Sequence, residues 1–178
     1  MTPTPQDAPR DVTPYQTSSF WISLALFIAT ALLSFGTAYR WFDIRFRIGN
    51  YFVTHWLAWI GTVFIAVYTP LYYVVKRRRP RWMKTLIPTH MFGNIISFAF
   101  ISMHLAQQLT RPAQFPPDLG TGVALFIVML TLVITGFLHR FRIIASLVPH
   151  QNRFLHISVT SAFYIVIIIH ILQGIGTL

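Results

Sequence analysis

Four histidines of this chain form two pairs with one spacing. His90 and His104 bound the stretch HMFGNIISFAFISMH, and His156 and His170 bound HISVTSAFYIVIIIH. Both stretches are apolar runs in which an imidazole is costly to bury without a purpose. On a helix of 3.6 residues per turn, a separation of about fourteen residues leaves two side chains within about 40° of one face and about 21 Å apart along the axis. Two imidazoles facing each other across a gap between helices are what a six-coordinate haem iron takes as axial ligands. The neutral imidazole is the form that ligates and also the form cheaper to bury. The pattern predicts two b-type haems (iron protoporphyrin IX), one on His90 and His156, the other on His104 and His170.

A single intramembrane histidine is more often a hydrogen-bonded packing residue. The repeated spacing is what lifts these four above that reading. A zinc or copper site would gather three or four ligands, and the two runs hold no carboxylate and no cysteine. Cysteine is absent from the whole chain. Disulfides, thiolate metal sites, iron–sulfur clusters and covalent c-type haem attachment are therefore excluded within it. No catalytic side chain is assigned.

The elements that must position the histidines follow from composition. The chain has 178 residues, 54% hydrophobic and 10% charged, where a soluble domain carries about a quarter charged residues. An all-α integral membrane protein is expected. A hydrocarbon core of about 30 Å needs about twenty apolar residues as helix, and five segments qualify: 20–39, 53–75, 87–109, 122–138 and 154–175. They make one five-span, haem-binding helical bundle over 20–178, behind a disordered cytoplasmic tail over 1–19. Pro88 is placed in the first turn of its helix, and Pro70 is expected to bend the second span.

The formal charge of +10 is concentrated, with six of the fourteen basic residues between Lys76 and Lys84. Between two apolar spans such a run suits anionic lipid, and nucleic acid is not an expected partner. Ten Lys and Arg fall on the side of the N-terminus and four on the other. The positive-inside rule then puts the N-terminus in the cytoplasm and the C-terminus outside, in a plasma (inner) membrane. The stretch WFDIRFR (41–47) is expected to lie in the outer interface as an amphipathic segment. The third and fifth spans run in the same direction, so His90 and His156 share the inner depth while His104 and His170 share the outer.

Haem propionates call for cations at the membrane edge. Arg153, with Lys84 or Arg81, is the inner candidate, and Arg111, with Arg40 and Arg45, the outer. Gly93, one turn past His90, and Gly136 in the fourth span would let a flat macrocycle approach the backbone, although glycines equally serve helix packing. His139 and His150 read as interfacial hydrogen-bonding residues. His55, near Asp43 and Arg45, is a candidate for accepting protons or touching a quinone.

Paired histidines fourteen apart on two parallel helices resemble the cytochrome b subunit of quinol–cytochrome c oxidoreductases. They are also similar to the ferric-reductase-like transmembrane domain of ferric reductases and NADPH oxidases, whose ligands likewise come from the third and fifth spans. The resemblance covers residues 87–175 and rests on spacing and span order. The departures are five spans in place of the usual six, no flavin- or nicotinamide-binding segment, and no quinol-oxidising signature. It implies a transmembrane electron-transfer subunit carrying electrons between a quinone or another donor and the redox partner subunits of a larger respiratory complex. A stand-alone reductase of ferric iron or oxygen at the outer haem is the second reading, and a non-redox scaffold with packing histidines the third.

Overall fold

A computed structural model describes residues 14–42, 44, 46–111, 119–143, 149–174 and 176. Among them five helices dominate: α1 (Ser18–Ala38), α2 (Val53–Arg78), α3 (Met83–Leu109), α4 (Gly120–Phe141) and α5 (Pro149–Gly174). All five are long and apolar enough to cross a membrane, as expected of a multi-pass membrane protein. A small antiparallel hairpin, β1 (Arg47–Ile48) with β2 (Tyr51–Phe52), joins α1 to α2. Most of the anticipated tail lies outside the described residues, as do Asp43 and Arg45.

The helices outrun their sequence-based limits, chiefly at the basic end. The anticipated loop over 76–86 shrinks to a 3-10 turn at Pro80–Trp82, because α2 continues to Arg78 and α3 begins at Met83. Pro88 therefore sits in the second turn of α3 and not in its first. Charged side chains stop a hydropathy window but not a helix, since Lys and Arg are good helix formers and suit a helix C-terminus. By the same logic α5 starts at Pro149 and takes Arg153 onto the helix. At the opposite end α1 closes with a Schellman turn. Trp41 N–H bonds to Gly36 O at 2.9 Å, and Arg40 occupies the left-handed region at φ 58° where glycine is commoner.

Polar groups inside the apolar helices are satisfied locally. The hydroxyls of Ser23, Thr30 and Thr37, all buried on α1, donate to carbonyls one turn back at 2.7–2.8 Å. Pro70 does not end α2. It deprives the Ala66 carbonyl of its helical partner, and the hydroxyl of Tyr164 on α5 approaches that oxygen at 3.4 Å and Ile65 O at 3.3 Å. A proline in one helix thus creates the tether for another.

α3 is the centre of the bundle. It packs against α1, α2 and α4, while α5 packs chiefly on α4. Gly61 lets α2 close on α3, where an added Cβ would meet Ser97 O at 3.0 Å. Tyr68, on α2, donates to Leu86 O at 3.1 Å, and Arg40 donates to Thr110 O at 3.4 Å. These pairings make α1 parallel to α3 and α2 antiparallel to both. The midplane core gathers Phe98 and Ile101 of α3, Met129 and Leu125 of α4, and Phe163 and Ile167 of α5. Phe163 is fully buried. Above and below this plug lie the two histidine regions.

Candidate functional site

At the end of the bundle that holds the α2–α3 turn, here the basic end, the helices part around a cavity of about 1270 Å³. Ordinary small-molecule sites occupy about 300–1,000 Å³, so there is room for a large planar ligand. His90 from α3 and His156 from α5 both line it, as do Asn94, Gly136 and Phe163. The ring of His90 stacks on Tyr72 at 4.5 Å between centroids, and Asn94 Nδ2 lies 3.3 and 3.4 Å from its two nitrogens. Asn94 Oδ1 is buried without a partner. His156 is held on the other wall: Thr135 Oγ1 lies 3.1 Å from Nδ1, and a Cβ on Gly136 would come 3.3 Å from Cε1.

Cations ring the cavity mouth. Arg153 is there as expected, but the company differs from expectation. Lys76, Arg77, Arg140 and Arg142 line the cavity, and Lys84 and Arg81 do not. The early start of α3 explains the exchange, because it turns the residues before His90 into helix and leaves α2 and α4 to supply the rim. His139 and His150 also line the mouth. Gly93, a predicted contact for the cofactor, instead packs against α2, with the Phe64 ring where its Cβ would stand.

The hairpin end is built differently. His104 packs on His55 of α2, with ring centroids 4.5 Å apart and planes at 72°. Gln108 Nε2 reaches His55 Nε2 at 3.3 Å, and the Thr54 hydroxyl donates to Gln107 Oε1. His104 Nδ1, His55 Nδ1 and Gln107 Nε2 are buried without partners. Across the bundle, Thr121 Oγ1 lies 3.1 Å from His170 Nδ1, and a Cβ on Gly122 would come 3.4 Å from Cε1. Arg111 is exposed just past the end of α3.

The four histidines thus occupy two ends of one bundle, one from α3 and one from α5 at each. The basic-end set fits a haem by donor type, space and rim charge. The hairpin-end set fits by donor type and by its unpaired buried polar atoms. Among the described residues no three His, Cys, Asp or Glu side chains gather as a metal site, and bis-histidine ligation calls for only two. Sequence reasoning missed Thr121 and Thr135. Their signal was present: a Thr-Gly step recurs fourteen residues apart in the fourth span, at Thr121-Gly122 and Thr135-Gly136, matching the histidine spacing.

No protein-family model, no curated protein and no solved structure matches this chain.

Proposed function

We propose that the chain is a transmembrane b-type cytochrome, an electron-transfer subunit that works with redox partners. The observation that carries the reading is that His90 and His156 come from α3 and α5 to line one cavity, with a second histidine on each helix fourteen residues on. Bound haems would supply a one-electron carrier at each depth. The chain's own part is ligation by His90, His156, His104 and His170, neutralisation of propionates by Arg153 and its neighbours, and exclusion of water. Phe98, Met129 and Phe163 serve the last role, filling the bundle between the two regions.

The basic end is assigned to the cytoplasm, since Lys and Arg concentrate there. A quinone or a docked donor would approach on that side. Moving one electron across the bilayer is worth about 2.3 kcal/mol per 100 mV, so the partners decide whether the transfer stores or releases energy. The exposed Arg40, Arg47 and Arg111 at the hairpin end favour an acidic acceptor there, or chelated ferric iron in a stand-alone reductase.

The visible spectrum of the purified chain tests the proposal. Soret and α bands that sharpen on dithionite reduction, with about two haems per chain by pyridine haemochrome, are the expected result. A colourless protein from haem-replete cells would end the cytochrome reading. Topology is tested separately: a C-terminal alkaline phosphatase fusion should be active and a C-terminal fluorescent protein dark. In liposomes, reduction by quinol or a reduced partner but not by NADPH separates a subunit from a self-sufficient reductase.

A further inference from the structure

The two threonines of α4 stand in the same relation to the two histidines of α5. Thr135 Oγ1 is 3.1 Å from His156 Nδ1, and Thr121 Oγ1 is 3.1 Å from His170 Nδ1. In each case the next residue is a glycine that lets the imidazole edge rest on the α4 backbone, with a virtual Cβ 3.3 or 3.4 Å from Cε1. One device is present twice, fourteen residues apart on each helix. A chance packing contact has no reason to repeat with the same atoms.

The direction of these hydrogen bonds follows from counting protons. A threonine hydroxyl has one proton to give. Thr135 gives it to its own helix, to Thr131 O at 2.7 Å, with Leu132 O also within 3.1 Å. Thr121 gives it to Gln173 Oε1 at 2.6 Å. Each hydroxyl therefore has only lone pairs left for the histidine, so it accepts from Nδ1–H. A neutral imidazole protonated at Nδ1 carries its lone pair on Nε2, the nitrogen through which it would then ligate a metal.

We infer that Thr135 and Thr121 are positioning residues that fix His156 and His170 as Nδ1–H tautomers with Nε2 turned toward a metal. α3 has no such device. Asn94 Nδ2 is nearly equidistant from both nitrogens of His90, and His104 Nδ1 has no partner. The α5 histidines are thus set before a cofactor arrives, and the α3 histidines complete the ligation. The inference rests on the haem reading above, but the tautomers exist without haem.

The test uses the full chain with Thr135→Val, Thr121→Val and the corresponding Thr→Ser variants, the last keeping the hydroxyl. In 15N-histidine-labelled protein prepared under haem depletion, the imidazole nitrogen shifts should report Nδ1–H tautomers for His156 and His170. Thr135→Val should release only His156 and Thr121→Val only His170, with serine restoring each. In haem-loaded protein, loss of the acceptor makes the imidazole a weaker donor to ferric iron. Thr135→Val should therefore raise the midpoint potential of one haem, or lose that haem, and Thr121→Val should do the same to the other. Unchanged tautomers and potentials in both valine variants would overturn the inference. So would equal shifts of both haems in either variant. Failure of the wild-type chain to bind haem would defeat the functional reading, and the nitrogen shifts would still decide the tautomers.

Discussion

The two ends of this bundle carry the same pair of residue types and treat them in opposite ways. At the basic end the helices stand apart, and His90 and His156 face into about 1270 Å³ of cavity rimmed by arginine and lysine. At the hairpin end His104 lies against His55, and polar atoms of both, with Gln107 Nε2, are buried without partners. A buried unsatisfied polar group costs about 1–3 kcal/mol, so these atoms mark where further bonding would be favourable. The basic end offers space beside one such atom, Asn94 Oδ1, and the hairpin end offers three of them. If both ends hold haem as proposed, a search for cavities alone would find the basic-end site and pass over the other, which is marked by its unpaired polar atoms.

The largest effect expected is loss of a cofactor. His90→Ala or His156→Ala should each leave about one haem per chain, and His104→Ala or His170→Ala should leave the other one. Pyridine haemochrome gives the count and redox titration tells which haem remains. His55→Ala is the control at the hairpin end and should keep both haems. If His90→Ala and His104→Ala behaved as one pair, with the α5 histidines indifferent, the division into two ends would fail. If His55→Ala removed a haem while His104→Ala did not, α2 and not α3 would supply the hairpin-end ligand.

Much of this arrangement was legible in the sequence, for a physical reason. Span number and order follow from apolar length, and a fourteen-residue spacing is nearly a whole number of helical turns. That arithmetic alone puts the four histidines at two ends of the bundle, one from each of two helices. Helix limits at the basic end were not legible, because arginine and lysine end an apolar run without ending a helix; that moved the rim from Lys84 and Arg81 to Lys76, Arg77, Arg140 and Arg142. Gly93 was read as an opening for a ligand, but whether a glycine faces a cavity or a neighbour depends on helix rotation. Here it faces Phe64. The Thr-Gly steps of α4 were visible as residues, but their meaning required knowing that α4 and not α3 lies behind the α5 histidines.

Glycine substitutions sharpen the contrast at an intermediate scale. Gly136→Leu should drive His156 off its wall and lose the basic-end haem, and Gly122→Leu should do the same to His170 at the hairpin end. Gly93→Ala should displace the Phe64 ring, which stacks on Tyr68 at 5.0 Å. Its cost is packing, about 1–3 kcal/mol, read as a lower unfolding temperature in detergent with the haem count unchanged. Haem loss from Gly93→Ala with retention in Gly136→Leu would mean that the flat ligand lies on α3 and not on α4.

The smallest effect expected separates the two ends by charge. Arg153 lines the basic-end cavity, whereas Arg111 is exposed beyond α3. A positive charge near a haem favours its reduced, less positive state, so removing it lowers the midpoint potential. Arg153 is itself solvent-exposed, and such a charge is worth under about 1 kcal/mol. With about 59 mV per 1.4 kcal/mol for one electron, Arg153→Gln should lower the basic-end potential by ~20–40 mV. Arg111→Gln should move the hairpin-end potential by less, since Arg111 lies beyond the end of α3 and Arg153 lines the cavity itself. Raising salt from about 0.01 M to 1 M shortens the screening length from about 30 to 3 Å, and the Arg153 effect should shrink with it. A larger shift from Arg111 than from Arg153 would reverse the comparison, because the hairpin end would then be the one whose cofactor meets a fixed cation.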